Sequence, residues 1–388
     1  MEKAVRRYGF ENDEHAAIRT AMGAFARQHI APHALDWEEA GEFPRALYGA
    51  AAEAGLLGAY YPTELGGAGG SLSHLLVGAE AVILEGKSVG TCVGLGSHTI
   101  ALPPIVHFGT DEQRARYVMP TIAGAKVAAL AITEPGGGSD VAGLKTRALD
   151  DGDAFVVSGQ KTFITSGCRA DFVVAAVRTG GEGAGGISLL IIDADTPGYR
   201  VGRSLKKMGW WASDTAELFF EDVRVPKANL LGTLNCGFVP IMTNFAAERL
   251  MLGGQCVAIA TLAYEETRRY ASERHAFGRV LNGFQVTRHR LAEMATRIAA
   301  VRAFVSEAVR AHEGGTLGGA GAAMVKNSAT DMCVAVCDAA VQLHGGYGYM
   351  REYVVERLYR DARLYPIGGG TREIMNEIIA KVEGPPRP

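Results

Sequence analysis

Residues 130–146 read LAITEPGGGSDVAGLKT, and the sequence changes character on either side of this stretch. Pro135 stiffens an extended approach, the glycines at 136–138 leave backbone N–H groups uncovered, and Thr133 and Ser139 add hydroxyls. Such a loop can hold a phosphate or a polar ring edge, or it can simply turn a hairpin. Local chemistry weighs the two evenly.

Upstream, from Asn12 to about Lys126, the pattern is helical. Ile18, Met22, Phe25 and His29 recur at spacings of four, three and four, and Pro32 ends the run. Downstream to about Gly232, short apolar runs (FVV at 155–157, DFVVAAV at 171–177, ISLLII at 187–192, ELFFEDVRV at 217–225) alternate with turns such as DDGD, TGGEGAGG and DADTPG. After Asn235 long helices return. Leu291, Met294, Ile298, Val301, Val305 and Ala308 form one helical stripe, and Val325, Ala329, Met332, Val336, Ala339 and Leu343 form another. The Gly-rich 314–323 reads as the loop between these two helices, and GGYGYM at 345–350 as a helix stop. The expectation is an α+β chain of three parts: a helical domain (1–128), a β-domain (129–234) and a helical bundle (235–388).

Composition narrows the function classes. Hydrophobic residues at 48% and charged residues at 21% are ordinary for a globular protein, so disordered and fibrous chains are excluded. A formal charge of −3 without a long basic run argues against a nucleic-acid partner. No apolar run of about 18 residues occurs, and the opening MEKAVRRYGFENDEH turns acidic before a signal-like core. The reading is a cytoplasmic chain without a membrane span. Six scattered cysteines lack a CxxC pair, and Cys333 and Cys337 have no accompanying His pair, so no metal is expected.

Three stretches resemble nucleotide loops without their context. AVILEGKS at 81–88 follows a helical segment and is bulky where a phosphate cradle must be flexible. GGAGGS and GGYGYM sit in no strand-turn-helix unit with a later acidic residue. HExxH and GxSxG are absent, which removes the zinc and serine hydrolase readings.

Glu248 stands out on physical grounds. It shares a helical stripe with Ile241, Phe245, Leu252 and Ile259, which aims a carboxylate toward the apolar side. The alternative is a surface glutamate paired with Arg249, but adjacent helical residues diverge by about 100° and do not face one another.

Five blocks occur in order: TEPGGGSDVAGLKT (133–146), GQKTFITSG (159–167), ERHAFGRVLNGFQ (273–285), VQLHGGYGY (341–349) and RDARLYPIGGGTREI (360–374). Together they resemble the signatures of the acyl-CoA dehydrogenase family, over about 13–381. The resemblance implies an N-terminal helical domain, a middle β-barrel or sandwich and a C-terminal four-helix bundle, with FAD as cofactor. It places Leu130, Ala131, Ile132, Thr133 and Ser139 along the flavin and pyrophosphate, with Ser139 also near the thioester. Phe163, in place of the usual tryptophan, would lie against the ring beside Ile164 and Thr165. Arg274, Phe277 and Gln285 would reach the FAD of a neighbouring subunit, where Ala276 replaces a common threonine. Gln342, Leu343, His344, Gly345 and Gly346 would hold the ADP half, and Thr371 and Glu373 would touch the flavin.

The chain departs from many relatives in carrying GGT (Gly369, Gly370, Thr371) where they have EGT, so the usual base is missing there. NFAAERLMLGG (244–254) with IGGGTREIM (367–375) resembles the long-chain and isovaleryl branches, whose base precedes an arginine on a helix. That implies Glu248 as base, Gly369 N–H as a donor to the thioester oxygen, and Phe245, Arg249 and Gly370 around the substrate. The implied partners are a long-chain or branched acyl-CoA or a carrier-bound acyl thioester, an electron-transfer flavoprotein, and sister subunits in a homotetramer. A flavin monooxygenase of the same fold, or a non-catalytic subunit of a heteromer, remains the alternative.

Overall fold

The computed structural model describes residues 7–384; the first six residues of the acidic opening and the last four lie outside the described residues. Helix α1 (Asp13–His29) is started by Asn12, whose side chain accepts from the His15 N–H at 3.1 Å, and is followed by a 3-10 turn containing Pro32. After α2 (Ala34–Ala40), α3 (Leu72–Gly86) packs along α1, with Met22, Phe25 and Ala26 against Leu75, Leu76 and Ile83 in the main core. Shorter helices complete the stretch to Ile122.

Strands β1 (Ala128–Ala131), β2 (Arg147–Asp151), β3 (Ala154–Thr165), β4 (Phe172–Arg178), β5 (Ile187–Asp193), β6 (Tyr199–Ser204), β7 (Thr215–Pro226) and β8 (Leu230–Leu231) form one sheet ordered β6-β7-β3-β2-β4-β5-β8, with β1 parallel to β4. The hydrogen-bonded path is open. β4 and β5 are apolar at almost every position because both faces are covered. Phe172, Val174 and Ala176 face a core shared with Ala101, Leu102, Ile105 and Ile241, while Val173, Ala175 and Val177 face Val157, Ile164, Leu218 and Phe220 of β3 and β7.

The C-terminal helices are α4 (Phe238–Glu273), α5 (Gln285–Glu313), α6 (Gly319–His344), α7 (Val354–Ala362) and α8 (Arg372–Glu383). Between α4 and α5 runs a short hairpin of β9 (His275–Ala276) and β10 (Arg279–Val280). Helix α4 is 36 residues long and carries two glycines where it crosses its neighbours. A β-carbon at Gly254 would meet Leu76 Cγ of α3 at 2.6 Å, and one at Gly253 would meet Val325 Cγ1 of α6 at 3.1 Å. Glycine thus permits backbone approach that no other residue would. Glu80 of α3 accepts from Arg302 of α5 at 2.5 Å and Arg19 of α1 at 2.8 Å, a buried ionic tie across three helices.

One expectation needs correcting. The Gly-rich 314–323 is a loop only to Gly318, and α6 begins at Gly319. Ala320, Ala322 and Ala323 are buried there, so packing overrides the weak helix propensity of glycine.

Candidate active site

The 130–140 loop is a turn held from beneath. The Glu134 N–H donates to the Gly137 carbonyl at 3.2 Å and the Gly137 N–H donates back to Glu134 at 3.1 Å. The hairpin reading therefore describes its backbone, while an added β-carbon at Gly136 would meet nothing within 4 Å. Beneath it lies Lys161, fully buried, donating to the Ile132 carbonyl and the Glu134 carboxylate, each at 2.9 Å. Burial pushes the Lys161 ammonium down to about 8, with Glu134 opposing the fall. The Thr162 N–H donates to Thr133 at 2.9 Å, which fixes the loop to β3. Glu134 and Lys161 escaped the sequence reading. Their signal was available as charged residues within the two most specific blocks.

Beside the loop, β3 slips register between Lys161 and Ile164, and Phe163 takes φ +60. An aromatic residue in the left-handed region at a bulge is strained, and here it throws the ring off the sheet, 67% exposed. Thr165 is half-buried next to it. Ala131 and Ile164 are buried in the sheet core, which leaves only their main chain to face a ligand; Leu130, Ile132 and Thr133 are partly buried, and Ser139 is exposed.

At the far end of α4, Arg274 and Leu281 line a cavity of about 520 Å³ with Gln342, Leu343, His344, Gly345 and Gly346. Gly345 leaves α6 at φ +59, and a β-carbon there or at Gly346 would meet nothing within 4 Å. His344 is engaged in the fold: its Nδ1 donates to the Ala340 carbonyl at 2.8 Å and its ring stacks on Tyr270 at 4.3 Å. Phe277 stands on the hairpin at φ +50 and 97% exposed, and Gln285 is also exposed. Neither lines the cavity that Arg274 shares with 342–346.

The third cluster surrounds Glu248. Gly369 and Gly370 take φ +66 and +99, and an added β-carbon at Gly369 would approach Leu252 Cδ1, Glu248 Oε1 and Lys326 Cε. Glu248 Oε2 and the Nε of Arg249 are buried without a hydrogen-bond partner. The Arg249 guanidinium lies instead 5.4 Å from the Phe245 ring centre. Burial pushes the Glu248 carboxyl up to about 7, against the opposing charges of Arg249 and Lys326. Thr371 caps α8, accepting from the Ile374 N–H at 3.4 Å, and Glu373 lies exposed in the first turn. Lys326, unnoticed in the sequence, is buried and donates to the Gly370 carbonyl at 2.7 Å. Among the described residues no group of three or more His, Cys, Asp or Glu could hold a metal ion.

Three separate features result: an outward aromatic ring at Phe163, an open glycine corner beside a cavity at Gly345 and Gly346, and at Glu248 a half-buried carboxylate whose Oε2 has no hydrogen-bond partner. Sequence comparison assigns the class. Residues 12–125, 129–223 and 235–383 match the N-terminal, middle and C-terminal domains of acyl-CoA dehydrogenase, and the chain belongs to this family of FAD-dependent oxidoreductases acting on acyl-CoA. It is 40% identical to the mitochondrial long-chain specific acyl-CoA dehydrogenase of Sus scrofa, over 95% of this chain and 86% of that one. It is 36% identical to the caffeyl-CoA reductase-Etf complex subunit CarC of Acetobacterium woodii, over 95% and 98%. Among solved structures, a probable acyl-CoA dehydrogenase of Mycobacterium abscessus superposes with a TM-score of 0.94 at 50% identity, covering 95% of this chain and 98% of that one. Among the described residues no single helix is long and apolar enough to cross a membrane.

Proposed function

We propose that this enzyme oxidises the α,β bond of a long-chain or branched acyl-CoA to the trans-2-enoyl thioester, with Glu248 removing the α-proton. The observation that carries the reading is the half-buried Glu248 carboxylate, its Oε2 enclosed and unpartnered, opposite the left-handed Gly369 and shifted to about 7. A base that titrates near neutrality is both free to accept a proton and strong enough to take one, which contributes about 10²–10⁴-fold.

FAD, when bound, would supply the hydride acceptor, and Glu248 takes the proton from the substrate Cα. The negative charge gathering on the thioester oxygen is met by the Gly369 N–H. Phe245, Arg249 and Gly370 line the substrate end, and Ser139 stands where the thioester approaches the loop. Leu130 to Thr133 and Phe163 to Thr165 would hold the flavin, the latter through the ring of Phe163, together with Thr371 and Glu373. Gln342 to Gly346 hold the ADP half, and Arg274, Phe277 and Gln285 reach the cofactor of a neighbouring subunit in a homotetramer of chains divided at 128/129 and 234/235. Electrons pass to an electron-transfer flavoprotein. The long-chain dehydrogenase of Sus scrofa supports the chain length, and the reductase-Etf subunit supports the acceptor.

The test is anaerobic bleaching. Glu248→Gln should keep its yellow flavin and lose bleaching by acyl-CoA; full bleaching by that variant refutes the base. A panel of straight, branched and carrier-bound thioesters fixes the substrate. Oxygen consumption driven by NADH or a reductase, without thioester bleaching, would favour the monooxygenase instead.

A further inference from the structure

We propose that Lys326 is a positioning residue of the proton-transfer site, its ammonium anchoring the 369–371 turn through the Gly370 carbonyl and adding to Arg249 a second positive charge that keeps Glu248 ready to accept a proton. The inference rests on Glu248 being the base, as proposed above. Lys326 is 1% exposed, and its Nζ lies 2.7 Å from the Gly370 oxygen. Its Cε and Glu248 Oε1 lie 3.6 and 3.4 Å from the point where a β-carbon of Gly369 would stand. Lysine tail, carboxylate and donor peptide thus meet at one spot.

A buried ammonium needs a reason, because burial, joined by the charge of Arg249, pushes this group down to about 8 against the opposing Cys256 and Glu248. No salt bridge of Lys326 occurs among the described residues, so its charge is spent on a backbone carbonyl and on the field at Glu248. The titratable groups whose charges reach it are Glu248, Arg249 and Cys256, all on α4. From α8, Arg372 is occupied by Asp331, and Asn376 by Asn327 at 2.9 Å. Arg249 also acts on Glu248, but it sits on the same helix and makes no bond to the turn. Lys326 alone joins the two sides. Consecutive positive-φ glycines at 369 and 370 have no side chains to hold them, and an anchor on the Gly370 carbonyl removes that freedom.

The experiment titrates Glu248 directly in the FAD-loaded enzyme, by the infrared carbonyl band of its protonated carboxyl, assigned by its loss in Glu248→Gln. Lys326→Met should move the midpoint upward by about one unit, a tenfold change in the proton-bound ratio. It should lower kcat for acyl-CoA more than tenfold with little change in KM. Lys326→Arg should restore the midpoint. Lys326→Gln, which keeps a donor without the charge, should show the raised midpoint but a smaller loss of kcat, and it serves equally if the methionine variant does not fold. An unchanged midpoint in the neutral variants overturns the proposal. If the parent enzyme is bleached by no acyl thioester, the functional reading fails, while the infrared midpoints still decide whether Lys326 sets the charge of Glu248.

Discussion

Gly369 and Glu248 form the two sides of one narrow gap: a β-carbon on residue 369 would lie 3.4 Å from Glu248 Oε1 and 2.6 Å from Leu252 Cδ1. The backbone reinforces this restriction, since φ +66 disfavours every residue with a β-carbon. A side chain at 369 would therefore intrude on the space beside the carboxylate.

Gly369→Ala should destabilise the fold by ~1–2 kcal/mol, the cost of a left-handed alanine, and displace Leu252. We expect a lowered melting temperature, retained flavin absorbance and bleaching by acyl-CoA slowed at least about tenfold. Bleaching at the parental rate would show that the gap does not constrain the reacting ligand.

The shifted carboxyl makes two pH predictions. Proton abstraction needs the carboxylate, so the anaerobic bleaching rate should rise with pH through about 7 and then level off, falling about tenfold per unit below it. The effect on stability has the opposite sign. Between about pH 4.5 and 7 the folded chain keeps a proton that the unfolded chain has released, so this group lowers stability as pH rises through that window. Glu248→Gln removes that loss and should melt higher than the parent at pH 8. A lower melting temperature for the variant at pH 8 would contradict the burial that the base assignment requires.

Legibility in the sequence followed side-chain periodicity. Glu248 could be found because Ile241, Phe245 and Leu252 define a stripe that includes it. The doubly covered β4 and β5 could be found because unbroken apolar runs mark strands buried on both faces. Lys326 obeys the same rule, lying four residues from Ala322 and three from Ala329, both buried, yet a lysine is read as solvated unless its stripe is traced. The strain at Phe163 had no signal of its own, since nothing in GQKTFITSG marks a register slip. The helical start at Gly319 was hidden by glycines whose neighbours pack well.

Asp361 of α7 and Glu38 of α2 formed another feature closed to sequence reading, being distant in the chain. Both are buried, and the Oδ2 of Asp361 and Oε2 of Glu38 have no hydrogen-bond partner. Asp361 Oδ1 accepts from the Trp210 N–H at 2.6 Å, and Glu38 Oε1 from the Ala212 N–H at 3.4 Å, so the pair joins all three parts of the molecule. Burial and then the charge of Glu38 push Asp361 up, despite Arg357 and Arg360.

The pair should cost stability as pH rises from about 4 to neutrality, because the folded state retains a proton there. Asp361→Asn keeps an acceptor for Trp210 without a second buried charge. Its melting temperature should depend less on pH, and at pH 8 it should be no lower than that of the parent. Asp361→Ala should lose about 1–3 kcal/mol by stranding the Trp210 N–H. A parental pH slope in the asparagine variant would remove the pair from the account.

Helix α4 is a single rod from Phe238 to Glu273, with Glu248 toward one end and Arg274 just beyond the other. At 1.5 Å per residue their backbones are separated by roughly 39 Å, farther than an extended flavin dinucleotide reaches. If both residues serve FAD, they serve different molecules of it. Every chain would then hold a fragment of two compartments, and neither would be finished until another copy arrives.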